Sequence, residues 1–200
     1  MVREKHVLID RSRIHYLEAG EGSNQDILFL HGMKFSAQTW KELGTLDYLA
    51  SEGFHPVAVD LPGFGKSEDL SMENDKILLA IMDRLGLEKP FLVAPSFSGG
   101  YSLPLVAVNP WRLSGFVAVA STKIPDYLEK LDGNSLPALA VWGEHDKIVS
   151  VEHADLLCRC MPNSRKVIFK DAEHPCYLTE TDAFHQELLG FFRSTNERPV

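Results

Sequence analysis

The sequence has no long hydrophobic run. None of its apolar stretches approaches the roughly 20 residues that cross a bilayer. Its opening, MVREKHVLID, lacks the apolar core of a secretory signal. No membrane association is expected. Positive charge is also scarce: 20 Lys and Arg stand against 28 Asp and Glu, a formal net charge of −8. Sequence-independent binding to nucleic acid or anionic lipid needs a basic face, so no nucleic-acid partner is expected. Cysteine is rare. Cys158, Cys160 and Cys176 make an odd count, which argues against a disulfide framework and for free, buried thiols in a cytoplasmic chain. The spacing of Cys158 and Cys160 does not suit a zinc knuckle, and no second ligand pair follows, so no metal is expected. A glycine-rich phosphate loop is missing too, and with it the signal of a nucleotide-type cofactor.

What the chain has is alternation. HVLID and RIHYLEA read as a hairpin, although the turn DRSR lacks the glycine such turns favour. DILFLHG, PVAVDLPG, PFLVAP, GFVAVAS, PALAVWG and RKVIFK read as strands. Between them, SAQTWKELGTLDYLASEG reads as one helix with Trp40, Leu43, Leu46 and Leu49 on one side and Gly53 past its end. NDKILLAIMDRLG, the stretch from Phe97 to Val108, PDYLEKL, VEHADLLCRCM and DAFHQELLGFFRS read as further helices. Pro104 should kink the helix it falls in or displace a turn. Strands buried on both faces and alternating with helices predict a mostly parallel twisted sheet with helices on both faces, built as one domain over 1–200. In such folds chemistry gathers at the carboxyl ends of strands. Those ends carry His31-Gly32, Asp60, Ser96, Ser121, Asp146 and His174.

FLVAPSFSGGYS holds two serines at a strand-to-helix break. A tight elbow for a nucleophilic serine needs small residues two before and two after it. Ser96 lies between Ala94 and Ser98, and Ser98 between Ser96 and Gly100. Gly100 favours Ser98. Strand phase favours Ser96, because Pro95 then ends the strand instead of interrupting a ladder that needs its N–H. Serine needs a base, and the base an acid that fixes its tautomer. GEHD offers Glu144 and Asp146, and DAEHPCY offers His174. Asp146, three past the glycine, reaches over the strand end better than Glu144; Asp60 is a weaker alternative. Of the eight histidines, His31 belongs to a turn, His145 would face away from Asp146, and His55, His153 and His185 read as surface or capping residues on or beside helices. The backbone N–H groups of Met33 and Phe97 are expected to form an oxyanion hole. DLPGFGKSE reads as a structural loop.

Taken together, LHG, DLPGFGKS, the serine elbow, GEHD and the last histidine resemble the α/β-hydrolase superfamily. LHGMKFSAQTWKELGTLDYLA, APSFSGGYSLPL and EHPCYL are similar to its small group without a cap, the α/β-hydrolase-domain-containing proteins fourteen, from about His6 to Phe192. The resemblance implies an α/β-hydrolase fold with Ser96 as nucleophile, Asp146 as acid and His174 as base. It implies a serine hydrolase for small acyl groups. Near the elbow, Phe35 and Ser98 are expected beside the substrate, and Phe97, where the family has a small aliphatic residue, is expected to narrow the acyl pocket. It also brings in lysine deacetylation with coenzyme A as acceptor, a protein partner and a nuclear location. The stretch after Ser67 is shorter than the family's. Only Thr122 to Leu136 separate two strands where larger members insert a cap, so no cap domain is expected. The contrasting expectation is a non-catalytic protein-binding module on the same fold.

Overall fold

The computed structural model describes residues 1–22 and 24–197. The single-domain expectation for 1–200 also spans the remaining positions, which lie outside the described residues. Eight strands form one sheet: β1 Arg3–Ile9, β2 Ser12–Glu18, β3 Gln25–Phe29, β4 Phe54–Val59, β5 Phe91–Pro95, β6 Gly115–Val119, β7 Ala138–Gly143 and β8 Ser164–Phe169. Their order is β1-β2-β4-β3-β5-β6-β7-β8. β1 and β2 are antiparallel, as are β2 and β4; every other neighbouring pair is parallel. The carboxyl ends of β3, β5, β6, β7 and β8 therefore lie along one edge.

The helices are α1 Ala37–Glu42, α2 Thr45–Ser51, α3 Asn74–Leu85, α4 Gly99–Val108, α5 Ile124–Leu131, α6 Glu152–Cys160, α7 Cys176–Thr179 and α8 Thr181–Asn196. Alternation along the central strands decides which helix covers which face. Leu28, Leu92 and Ala94 join residues of α3, α4, α5 and α6 in one core. Ile27, Phe29, Phe91 and Val93 join residues of α1, α2, α7 and α8 in the other. This is the expected sheet covered on both sides, and the only helix between β6 and β7 is α5, so no cap domain stands over the carboxyl edge.

Local expectations fail at particular places. The single helix expected from SAQTWKELGTLDYLASEG is two, broken at Gly44, whose φ of +72° ends one turn and opens the next. Trp40, Leu46 and Leu49 still bury in the same core, which is why their spacing imitates one helix. The β1–β2 turn is made by Asp10 and Arg11 at φ of +45° and +78°, the two positive values a two-residue hairpin turn requires. Pro104 sits inside α4 without ending it.

Candidate active site

β5 ends at Pro95, and Ser96 follows at a φ of +49°. A serine in the left-handed region is strained by roughly 1–3 kcal/mol, and persists only where its surroundings fix it. Those surroundings come from the loop after β6. Ser121 Oγ donates to the Ala94 carbonyl at 2.5 Å. The Thr122 N–H and Oγ1 both donate to the Ser96 carbonyl, at 3.0 and 3.1 Å. Gly99 makes this approach possible, since a Cβ there would collide with the Thr122 carbonyl oxygen.

β7 ends at Gly143 and delivers Asp146. One carboxylate oxygen, Oδ1, accepts the N–H groups of Ile148 and Val149 at 2.8 and 2.9 Å. The other, Oδ2, lies 2.7 Å from His174 Nδ1. The side chain is fully enclosed, and that of His174 is 15% exposed. His174 Nε2 lies 2.8 Å from Ser96 Oγ. Gly143 lets the loop after β8 cross the end of β7, for a Cβ there would strike the carbonyls of Ala172 and Glu173. His145 N–H closes that crossing on the Ala172 carbonyl at 2.9 Å. The series Ser96–His174–Asp146 is thus continuous. With the carboxylate taking Nδ1–H, Nε2 is left as an acceptor for a serine proton.

The turn after β3 supplies a peptide group beside the serine. A Cβ on Gly32 would stand 3.9 Å from the Ser96 Cβ. His31 is buried, and burial holds its imidazole below the ordinary value, so it stays neutral near pH 7. Its Nε2 accepts the Leu61 N–H at 3.0 Å, which leaves the proton on Nδ1 to donate to the Gly32 carbonyl at 2.8 Å. The Phe35 N–H donates to the same oxygen at 3.0 Å. Two donors on that carbonyl fix the Gly32–Met33 peptide plane, and with it the direction of the Met33 N–H.

Around the serine lies a cavity of about 400 Å³, within the size range of small-ligand sites. Its wall is mainly apolar: Met33, Phe35, Phe97, Val119, Ile148 and Tyr177 line it beside Ser96 and His174.

The comparisons identify the family and the fold. A family model described as "alpha/beta hydrolase fold" matches residues 27–132. The chain belongs to the α/β-hydrolase family. It is 37% identical to human "Putative protein-lysine deacylase ABHD14B", covering 96% of this chain and 95% of that protein. It is 39% identical to mouse "Protein ABHD14A", covering 90% of this chain and 76% of that one. The structure of a predicted CIB-like hydrolase from Thermoplasma acidophilum matches with a TM-score of 0.92 at 20% identity, over 97% of this chain and 99% of that chain.

In this α/β-hydrolase several expected residues sit elsewhere than expected. Ser98, expected beside the substrate, is fully buried and donates to the Pro95 carbonyl at 2.8 Å. It is a residue inside the elbow, its hydroxyl taken by the Pro95 carbonyl, and it is absent from the cavity lining. Glu144 is exposed and accepts the Asp171 N–H, away from His174. Asp60 is buried and accepts the Ala37 and Lys66 N–H groups with His15 Nδ1 2.8 Å away, so it organises the DLPGFGKSE loop. His55 lies on β4, 2.7 Å from Asp26. His185 is buried in α8 against Thr45 Oγ1 at 2.8 Å, so neither is a surface residue. Cys176 follows His174 closely, but burial and the nearby Asp146 charge push its thiol up to about 12; it is no thiolate. The others, Cys158 and Cys160, are half-buried and free. Sequence reasoning missed Thr122, Ile148 and Tyr177. A signal existed only for Tyr177, which lies in the EHPCYL stretch.

Proposed function

We propose that this single domain is a serine hydrolase that transfers small acyl groups to water. Ser96 Oγ attacks the acyl carbonyl carbon, and its proton passes to His174 Nε2. Asp146 holds the imidazole in the accepting tautomer and stabilises its charged form. The Met33 and Phe97 N–H groups receive the developing oxyanion; one such donor lowers the barrier by about 2.7–4 kcal/mol. His174 then returns the proton to the departing amine or alkoxide, leaving an acyl group on Ser96. Water, losing its proton to His174, releases that acyl group as a carboxylic acid. The observation that carries this reading is the unbroken series Ser96 Oγ, His174 Nε2, His174 Nδ1, Asp146 Oδ2 at 2.8 and 2.7 Å.

The substrate class follows from the cavity and the relatives. Apolar walls suit an acyl group. Met33 and Ile148, both largely exposed at the mouth, leave room for a long leaving group such as a lysine side chain, the class in the printed name of human ABHD14B. A coenzyme A acceptor has no observation behind it and forms no part of the proposal. The test is covalent labelling of Ser96 by a fluorophosphonate, followed by p-nitrophenyl esters of two to twelve carbons and an acetylated lysine peptide. Labelling and a rate maximum near four carbons are expected, each buried CH₂ adding about 0.8 kcal/mol until the pocket is full. A maximum at ten or twelve carbons refutes the small acyl group. An unlabelled Ser96 with no turnover leaves a binding module on a hydrolase fold.

A further inference from the structure

The cavity beside Ser96 has an open and a closed end. Met33 and Ile148 are 61% and 73% exposed, while Val119 and Tyr177 are almost wholly buried. A leaving group has to depart through the open end, so the acyl part of a substrate occupies the closed one. This assignment of ends rests on the hydrolase reading.

Tyr177 at the closed end is 3% exposed. Its ring is packed among three aromatic neighbours, Phe184 among them at 5.9 Å between centroids. It stacks on Trp40 at 5.0 Å between centroids and meets Phe35 edge-on at 6.3 Å. Trp40 is itself fixed, donating Nε1–H to the Leu30 carbonyl at 2.7 Å. Such packing leaves the phenol one orientation. Buried tyrosine hydroxyls usually find a partner, but among the described residues the Tyr177 hydroxyl makes no hydrogen bond; the Thr181 hydroxyl donates to the Tyr177 backbone carbonyl instead. Nor is it sealed in. The fully enclosed unpartnered side-chain atoms among the described residues are His15 Nε2, Ser102 Oγ and His153 Nδ1. The Tyr177 hydroxyl is not among them, and Tyr177 lines the cavity.

Burial also pushes this phenol well above its ordinary value, so the group remains O–H and acts as a donor. A plain hydrocarbon acyl chain seated against it would cut it off from solvent and strand the donor, a loss on the order of tenfold in binding. An acyl chain bearing an acceptor would satisfy it. A carboxylate is a poor match, because one neutral donor does not offset the burial of a full charge.

We propose that Tyr177 selects acyl groups that carry a neutral hydrogen-bond acceptor, a keto, hydroxyl or amide oxygen, along the chain. A site with a built-in polar group discriminates against analogues that leave it unpaired. Tyr177 is then a specificity-determining residue that donates to the acyl chain and takes no part in bond making.

The test separates binding from turnover. Ser96→Ala and Ser96→Ala/Tyr177→Phe proteins are titrated by ligand-observed NMR with two matched ester pairs: ethyl 4-oxopentanoate against ethyl pentanoate, and ethyl 3-oxobutanoate against ethyl butanoate. Tyr177→Phe removes no hydrogen bond within the protein, so the fold is retained. In the protein that keeps Tyr177, at least one oxo ester is expected to bind more tightly than its plain partner. The ratio should fall by tenfold or more once Tyr177→Phe is added. A merely structural role would weaken both members of a pair alike and leave the ratio unmoved. An unchanged ratio in both pairs, or no binding of any ester, overturns the proposal. Failure of the hydrolase reading shows separately, as absent fluorophosphonate labelling and turnover in the protein with Ser96 intact.

Discussion

Replacing Asp146 by Asn tests the site at its least visible step. The exchange keeps size and shape, so its effect follows from hydrogen bonding. Asp146 Oδ1 is held by two backbone N–H groups, from Ile148 and Val149 at 2.8 and 2.9 Å. An Asn amide nitrogen cannot take that place without setting donors against donors. The Asn oxygen therefore goes there, and its NH₂ faces His174 Nδ1, where the carboxylate lay 2.7 Å away. A donor opposite Nδ1 removes the proton from that nitrogen and puts it on Nε2. His174 then donates to Ser96 Oγ, and no base accepts the serine proton. The expected fall in turnover is roughly 10⁴-fold, which is about 5.5 kcal/mol of barrier. The assay is p-nitrophenyl acetate hydrolysis with fluorophosphonate labelling rates and urea midpoints alongside, because a folded but inactive protein is the claim. Glu144→Gln is the control and should stay within a few-fold of the parent, as Glu144 is exposed and its carboxylate accepts the Asp171 N–H rather than meeting His174. Retention of a tenth or more of the activity in Asp146→Asn refutes the tautomer argument, and a crippled Glu144→Gln refutes the choice of acid.

Ser96→Ala should abolish labelling and ester turnover; Ser98→Ala should keep both and lose about 1 kcal/mol of stability with its bond to the Pro95 carbonyl, so the reverse pattern in labelling would exchange the serines. Stability should decline as pH falls below about 6.5. Burial lowers both His31 and His185, so the unfolded chain binds protons that the folded one resists, and stability rises with pH in that window and levels off above it. Urea midpoints at pH 7.5 and 5.5 check this, and a higher midpoint at 5.5 contradicts it. Arg11→Gly should stabilise by about 0.5–1 kcal/mol, since Arg11 stands at a φ of +78° where glycine is unstrained; a thermal scan reads it as a rise of about 2 °C, and a fall would mean that the Arg side chain contributes more than the strain costs.

The parts of this fold written in side-chain period were legible. The strand PFLVAP and the helix NDKILLAIMDRLG appear where their patterns place them, because both are amphipathic or buried along their whole length. Patterns mislead where two short elements share one core. Trp40, Leu46 and Leu49 keep helical spacing across Gly44 since α1 and α2 bury into the same cluster. They mislead again where burial is polar. His55 and His185 look like surface residues until Asp26 and Thr45 are found opposite them, partners 29 and 140 positions away in sequence. α7 has four residues, too few to show any period, and so Tyr177 went unplaced.

The site divides in the same way. Ser96, Asp146 and His174 stand out because each is a reactive side chain at a strand end, and a parallel sheet brings strand ends together whatever the loops do. The choice between neighbours in one loop, Glu144 or Asp146, Ser96 or Ser98, depends on loop direction, which one-dimensional spacing leaves open. What holds the elbow is less legible still. The Ser96 carbonyl is bound by the Thr122 N–H and Oγ1, and the Met33 N–H is aimed by two bonds to the carbonyl of its own peptide group. Nearly every residue has a backbone N–H and C=O, so such bonds leave almost no trace in residue identity. Their trace falls on third parties: a glycine at 99 because the Thr122 carbonyl comes so close, and a glycine at 143 because Ala172 and Glu173 do. The glycines of this hydrolase therefore mark where one loop must touch another, and the touching groups are the ones that the sequence leaves unmarked.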